Sequence, residues 1–259
     1  MSAVVTKLNL PSLRDRVSPE EWRVRVELAA THRLAHYYNW IGTNFGTHFS
    51  ARIPGEPEHF LLKPVDLTFD EINASSLIKV DMKGTKLTES PYRVNNAGVA
   101  LHGGCYQARP DVMSVLHTHT DTGVALSMLE CGLLPVSMAA VRFHKRIGYY
   151  DFKGPGDNMS DRQRLGESLG EHMALIMRNH GLISVGRSIG EAFVVMCVLE
   201  QACSSQLKAM QTGAKMLIPD ETILDPMASK RDGMNDRNND GNWATMMRLA
   251  DRLDSSFRE

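Results

Sequence analysis

Two histidines stand one residue apart at the end of an apolar run, His117 and His119 in SVLHTHTDT, and a third, His180, sits between apolar runs in LIMRNHGLISVG. In an extended strand, positions i and i+2 share a face, so the first two imidazoles can lie side by side. Two imidazoles joined by a third from a distant turn are a common donor set for a catalytic divalent metal. Such a set leaves coordination positions open for water or substrate. The competing reading is a pair of surface histidines at a strand end and a third that caps a turn.

The other histidines carry less. His32 and His36 are four apart on an expected helix with no acid following in a metalloprotease-like arrangement, and read as a helix-surface pair. His102, on the helix ahead of the metal strand, either orients a ligand or is a core histidine with a satisfied hydrogen bond. His144, in VRFHKRIGYYDF, either faces a substrate carboxylate or oxyanion or lies in a solvated loop.

These residues need elements to hold them. After an N-terminal arm over 1–17, Ser18 is an expected N-cap, with Pro19 at the first helical position and acids in the first turn. Trp22, Val26, Leu28 to Ala30 and Leu34 fall near one face of that helix, and Gly42 and Gly46 break the pattern. THFSARIP and HFLLKP read as strands joined by PGEPE, and TFDEINASSLIKVDMKGTKL as a short helix, a strand and a turn. A helix ending before Pro110 leads to the strand MSVLHTHT. DTGVALSMLECG is an expected helix stopped by Gly132. ALIMRNHGLISVG is a strand, a turn and a strand, and SIGEAFVVMCVLEQACSSQLKAM is the longest helical stretch. The polar stretch from Pro219 to Gly241 reads as a mobile loop or lid before a final helix. The division is therefore an arm over 1–17, one mixed α/β domain over 18–218, and a loop with a C-terminal helix over 219–259.

The 259 residues include 42% hydrophobic and 23% charged ones, an ordinary globular balance. A formal net charge of −1 gives no global field to draw in nucleic acid or an anionic membrane. No apolar run approaches the roughly eighteen residues of a membrane span, and the N-terminus lacks a signal-peptide core. Cys105, Cys131, Cys197 and Cys203 show no CxxC spacing and read as reduced, mostly buried thiols. A cytoplasmic location is expected, with neither nucleic acid nor membrane as partner.

With these residues in hand, the chain resembles the class II aldolase/adducin family, from about Trp22 to Met210. The segments that carry the resemblance are THFSARIPGEPEHFLLKPVDLTFDEINASSLIKVDMKG, NNAGVALHGGCYQARPDVMSVLHTHT and RNHGLISVGRSIGEAFVVMCVLEQAC. The resemblance implies a three-layer α/β/α domain around a mainly antiparallel sheet. It also implies a homotetramer with active sites at subunit interfaces and a divalent metal on His117, His119 and His180. Zinc is the first expectation for that metal, with manganese, iron or cobalt as alternatives.

The departures from the family are as informative. Where its sugar-phosphate aldolases and epimerases open the helix before the metal strand with an acid/base glutamate, this chain has Gly98. Asn96 and Ala97 replace the serines that help hold a substrate phosphate, and Thr47 and His48 match the early phosphate loop poorly. Ordinary sugar-phosphate chemistry is therefore not expected. A metal that polarises a carbonyl still serves retro-aldol cleavage or decarboxylation. The expected function is a metal-dependent carbon–carbon lyase acting on a small, non-phosphorylated oxo- or hydroxy-acid.

In that reading Tyr150, beside Tyr149, is the expected general acid with His144 as a further acid/base, and Asn95, Asn96 and His102 bind substrate. Two alternatives stand beside it. One is a non-haem Fe(II) oxygenase on the same histidines. The other is a non-catalytic binding domain like the adducin head, against which stands the lack of a long basic tail after the domain.

Overall fold

In the computed structural model, the described residues are 11–42, 46–151, 161–230 and 235–259, with side chains left aside at 229–230 and 235–240. The first ten residues of the expected arm lie outside them. Helix α1 (Pro19–Tyr37) starts as its sequence dictates: Ser18 accepts from the Glu21 backbone N–H, and Glu20 and Glu21 sit in the first turn. Strands β1 (His48–Ile53), β2 (Glu56–Leu62) and β3 (Ile78–Asp81) follow. The short helix expected between β2 and β3 is a run of turns instead. Helix α2 (Asn96–Ala108) is capped by Asn95 and leads to β4 (Ser114–Thr118). Then come α3 (Asp121–Ser127), α4 (Met138–Val141), β5 (Ile147–Tyr150), α5 (Asp161–Leu169), β6 (Ala174–Met177), β7 (Gly181–Gly186) and α6 (Ile189–Gln211).

The strands form one seven-stranded sheet in the order β3-β2-β1-β4-β7-β6-β5. All neighbours are antiparallel except the β5–β6 pair. Helices α2 and α5 pack together on one face, and α1 and α6 cover the other. The central strands β1, β4 and β7 are consequently buried along their whole length. The result is the three-layer α/β/α arrangement expected from the sequence.

Two further readings are corrected. The stretch from Pro219 to Gly241 is largely helical among the described residues, with α7 (Glu221–Lys230) and the start of α8 (Asn235–Leu253). Trp243 of α8 lies against Gly190 and Phe193 of α6, and Ala250 is fully buried. Tertiary packing outweighs the poor helix propensity of that Asn- and Gly-rich run. The chain then makes a 3₁₀ turn (Ser255–Arg258), buries Phe257 completely, and pairs the Phe257 and Glu259 carbonyls with the Ala74 and Ser75 amides, each at 2.9 Å.

The second correction is His32, which belongs to the core and not to a helix surface. It is 0% exposed, donates from Nδ1 to the Leu28 carbonyl at 2.7 Å, and lies between the rings of Phe49 and Phe69. Burial depresses its pKa to about 3. All four cysteines are free; Cys105 and Cys203 are buried, whereas Cys131 is exposed and Cys197 half-buried. Among the described residues no helix is long and apolar enough to cross a membrane.

Candidate metal centre

Strand β4 ends between two others that fix its histidines. In the ladder, His117 lies opposite His48 of β1 and opposite Ile183 of β7. Its Nδ1–H donates to the Leu182 carbonyl at 2.9 Å, which leaves the Nε2 lone pair free. His119 follows on the same side, its backbone N–H held by Thr47 Oγ1 at 3.2 Å. A Cβ on Gly46 would fall 2.1 Å from His119 Nδ1, so only glycine permits the chain to pass that ring.

His180 comes from the β6–β7 turn, where Asn179 adopts φ 55°. Ser127, at the end of α3, holds that turn through its carbonyl to Asn179 N–H and its Oγ to His180 N–H. The turn thus aims a third imidazole at the strand end.

The ligand atoms of His117, His119 and His180 all lie within 4.8 Å of one another, and the Nε2 atoms of His117 and His119 are 2.7 Å apart. Burial is the main cause that keeps all three from protonating. It holds His117 well below its ordinary pKa, lowers His119 to about 4, and lowers His180 as well. Neutral imidazoles with converging lone pairs fit a divalent cation of the zinc type. The residues singled out by their spacing therefore assemble.

Not every expected site residue comes to this point within one chain. Tyr150 ends β5, three strand spacings from β4, or about 14 Å across the sheet. It is 7% exposed, and burial raises its pKa. Tyr149 accepts from the Leu133 N–H at 3.0 Å beneath the Arg178 guanidinium. His144 pairs through Nε2 with Asp225 of α7 at 3.0 Å, in a group that includes Lys145. Asn95 spends its Oδ1 on the Gly98 N–H as the α2 cap, whereas Asn96 is exposed. His102 has both ring nitrogens engaged and no exposed surface within one chain, where it supports His48.

Three residues near the centre were not found from sequence. His48 packs its ring 4.9 Å from that of His117. Glu200 of α6 accepts from Thr118 Oγ1 at 3.1 Å and from Thr120 Oγ1 at 2.9 Å, gripping the chain on both sides of His119. Burial raises its pKa to about 7. Lys63, buried over the Phe69 ring after β2, is lowered by burial to about 8. Each lies far from the histidine motif in sequence, and only the cross-strand register or the α6 packing brings it close. A cavity of about 740 Å³ opens beside His119, lined also by Tyr38, Trp40, Asp121, Glu200 and Gln201.

The sheet order, the helix layers and the three-histidine centre define one kind of domain. The chain belongs to the family of the class II aldolase and adducin N-terminal domain, whose model matches residues 26–207. It is 40% identical over 219 residues to a Caulobacter vibrioides protein whose name marks it as a candidate class 2 aldolase, spanning 85% of this chain and 83% of that one. Rat alpha-adducin is 37% identical over 204 residues, 78% of this chain but 27% of adducin. The crystal structure of an aldolase II superfamily protein from Pseudomonas syringae superposes with a TM-score of 0.91 at 38% identity, covering 96% of this chain and 100% of that one. The family and the three-histidine cluster together support a metal-dependent, lyase-type activity.

Proposed function

We propose that this protein is a divalent-metal-dependent carbon–carbon lyase, an aldolase or decarboxylase, acting on a small non-phosphorylated oxo- or hydroxy-acid. The observation that carries the reading is the pairing of a complete three-histidine centre with a glycine, Gly98, at the helix start beside it. When bound, a divalent ion supplies Lewis-acid stabilisation to an oxygen that gains negative charge. His117, His119 and His180 hold it as neutral donors. Zinc is the expected ion, since imidazoles satisfy its tetrahedral preference and leave one position for water or substrate.

At Gly98 no side chain is present to take a proton from carbon. That favours reactions whose electron pair comes from a breaking carbon–carbon bond over those that begin by proton abstraction. Asn95 and Asn96, at the α2 start, offer amide N–H groups to a substrate carboxylate where the helix dipole also favours an anion. Tyr150 and His144 protonate the product in this reading only from another subunit, which ties their roles to a homotetramer with shared active sites.

The test couples metal content to turnover. Protein purified without oxygen is analysed by mass spectrometry beside His117→Ala, then screened with 2-oxo- and 2-hydroxy-acids for carbon dioxide or aldehyde release. Zinc or manganese at about one per chain, lost in the variant, with product released, is the expected result. Iron with oxygen consumption would replace the lyase by an oxygenase, and no metal in either sample would leave an adducin-like binding domain.

A further inference from the structure

A chain of buried polar groups runs from the metal centre into the layer beneath α2. His48 Nδ1 lies 2.8 Å from His102 Nε2, His102 Nδ1 is hydrogen-bonded to Ser50 Oγ, and Ser50 Oγ lies 2.7 Å from the Tyr106 hydroxyl. His102, Ser50 and Tyr106 are 0% exposed and His48 is 2% exposed. No solvent is at hand to repair a mismatched donor, so the direction of the chain follows from counting hydrogens.

Tyr106 decides the direction. Its hydroxyl has Ser50 as partner, and the Val115 backbone amide and the Arg52 guanidinium, which also lie near Tyr106, are both donors. If Ser50 donated to Tyr106, the tyrosine hydrogen would have no acceptor among the described residues. Tyr106 therefore donates to Ser50, Ser50 donates to His102 Nδ1, and His102 donates from Nε2 to His48 Nδ1. Neutral His48 is then left with its hydrogen on Nε2.

Gly98 makes room for this arrangement. A Cβ there would stand 3.4 Å from His48 Nδ1 and 3.1 Å from Leu62 Cδ1, so a longer side chain would press on the nitrogen that receives the His102 hydrogen bond. The nitrogens of His48 also fall outside the ligand cluster of His117, His119 and His180, although its ring touches that of His117.

We propose that the Tyr106–Ser50–His102 chain fixes His48 as an Nε2–H donor beside the metal, where it binds an anionic oxygen of the substrate instead of serving as a fourth ligand. The substrate class is narrowed accordingly. A fixed N–H beside the three-histidine centre suits a carboxylate or an enolate oxygen and takes no proton from carbon. The proposal rests on the metal-centre reading for its function, but the tautomer is a property of the chain alone.

Neutron diffraction from deuterium-exchanged crystals, metal-free and zinc-loaded, reads that tautomer directly. Deuterium on His48 Nε2 in both is expected, and deuterium on Nδ1 overturns the proposal. Zinc affinity of His48→Gln is expected within about tenfold of the parent, whereas a loss beyond about 100-fold makes His48 a ligand and also overturns it. Oxalate serves as the anion probe for the zinc-loaded protein. Its affinity is expected to fall about tenfold in His48→Leu and to return in His48→Gln, which keeps an N–H donor. Unchanged oxalate affinity in His48→Leu would end the donor role. Should zinc bind none of these proteins, the metal-centre reading fails, while the tautomer in metal-free crystals still decides the hydrogen-bond argument.

Discussion

On the α2 side of β4, His117 meets His48, and behind it stand His102, Ser50 and Tyr106, a run of neutral groups closed off from water. On the α6 side, Thr118 meets Glu200, a carboxyl that also holds Thr120 and borders an open cavity. The two sides belong to alternate residues of one strand end, as the period of two requires. What differs is charge. One side fixes orientation with uncharged hydrogen bonds. The other holds a carboxyl whose pKa burial raises to about 7; once ionised it would add negative charge near a cation held by three neutral imidazoles.

The sharpest way to break this comparison is to remove the centre they share. In His117→Ala, metal content is expected to drop from about one per chain to background, read by mass spectrometry. Glu200→Gln tests the charged side alone. Metal affinity, followed by competition with a chelator, is expected to weaken about 10- to 100-fold. The same variant carries a pH signature in metal-free protein. Glu200 is raised from 4.5 to about 7 in the fold, so its penalty is absent below 4.5 and grows as pH rises through 7. Parent stability should therefore decline over that window by at most about 3 kcal/mol relative to Glu200→Gln in chemical denaturation.

His32 gives the opposite sign, on a histidine with no chain of partners behind it. Its pKa falls from 6.5 to about 3 in the fold, so stability is full above 6.5 and lost as pH drops. His32→Leu should flatten that acid limb, by about 2 kcal/mol at pH 5. The smallest effect is expected of Gly98→Ala, whose added methyl meets the flexible Leu62 side chain at 3.1 Å. Its gain in helix propensity and its crowding should nearly cancel, changing stability by less than about 1 kcal/mol with metal content kept.

Much of this was readable in the sequence. The strand carrying His117, the turn carrying His180, and the helices after them follow from periodicity and caps, and they bring together the histidines that could hold a metal. His48 was passed over because nothing in FGTHFSAR shows that it will lie opposite His117; the β1–β4 register supplies that. Glu200 looks like any acid on a long helix until α6 is laid against β4. His32 was misplaced because a helix covered by the sheet on one side and α8 on another has less surface than its spacing suggests. That Asn95 would spend its side-chain oxygen on the α2 cap, with its amide N–H groups left over, is a detail the sequence did not show.

The hydrogen bond from the Ala74 amide to the Phe257 carbonyl links points separated by most of the chain. During synthesis, residue 74 leaves the ribosome long before its partner has been joined. The loop holding Ala74 and Ser75 must wait, with those two amides unpaired, until the residues up to Glu259 have been made. A chain arranged in this way completes its core late, and the waiting intermediate is the species a chaperone would meet.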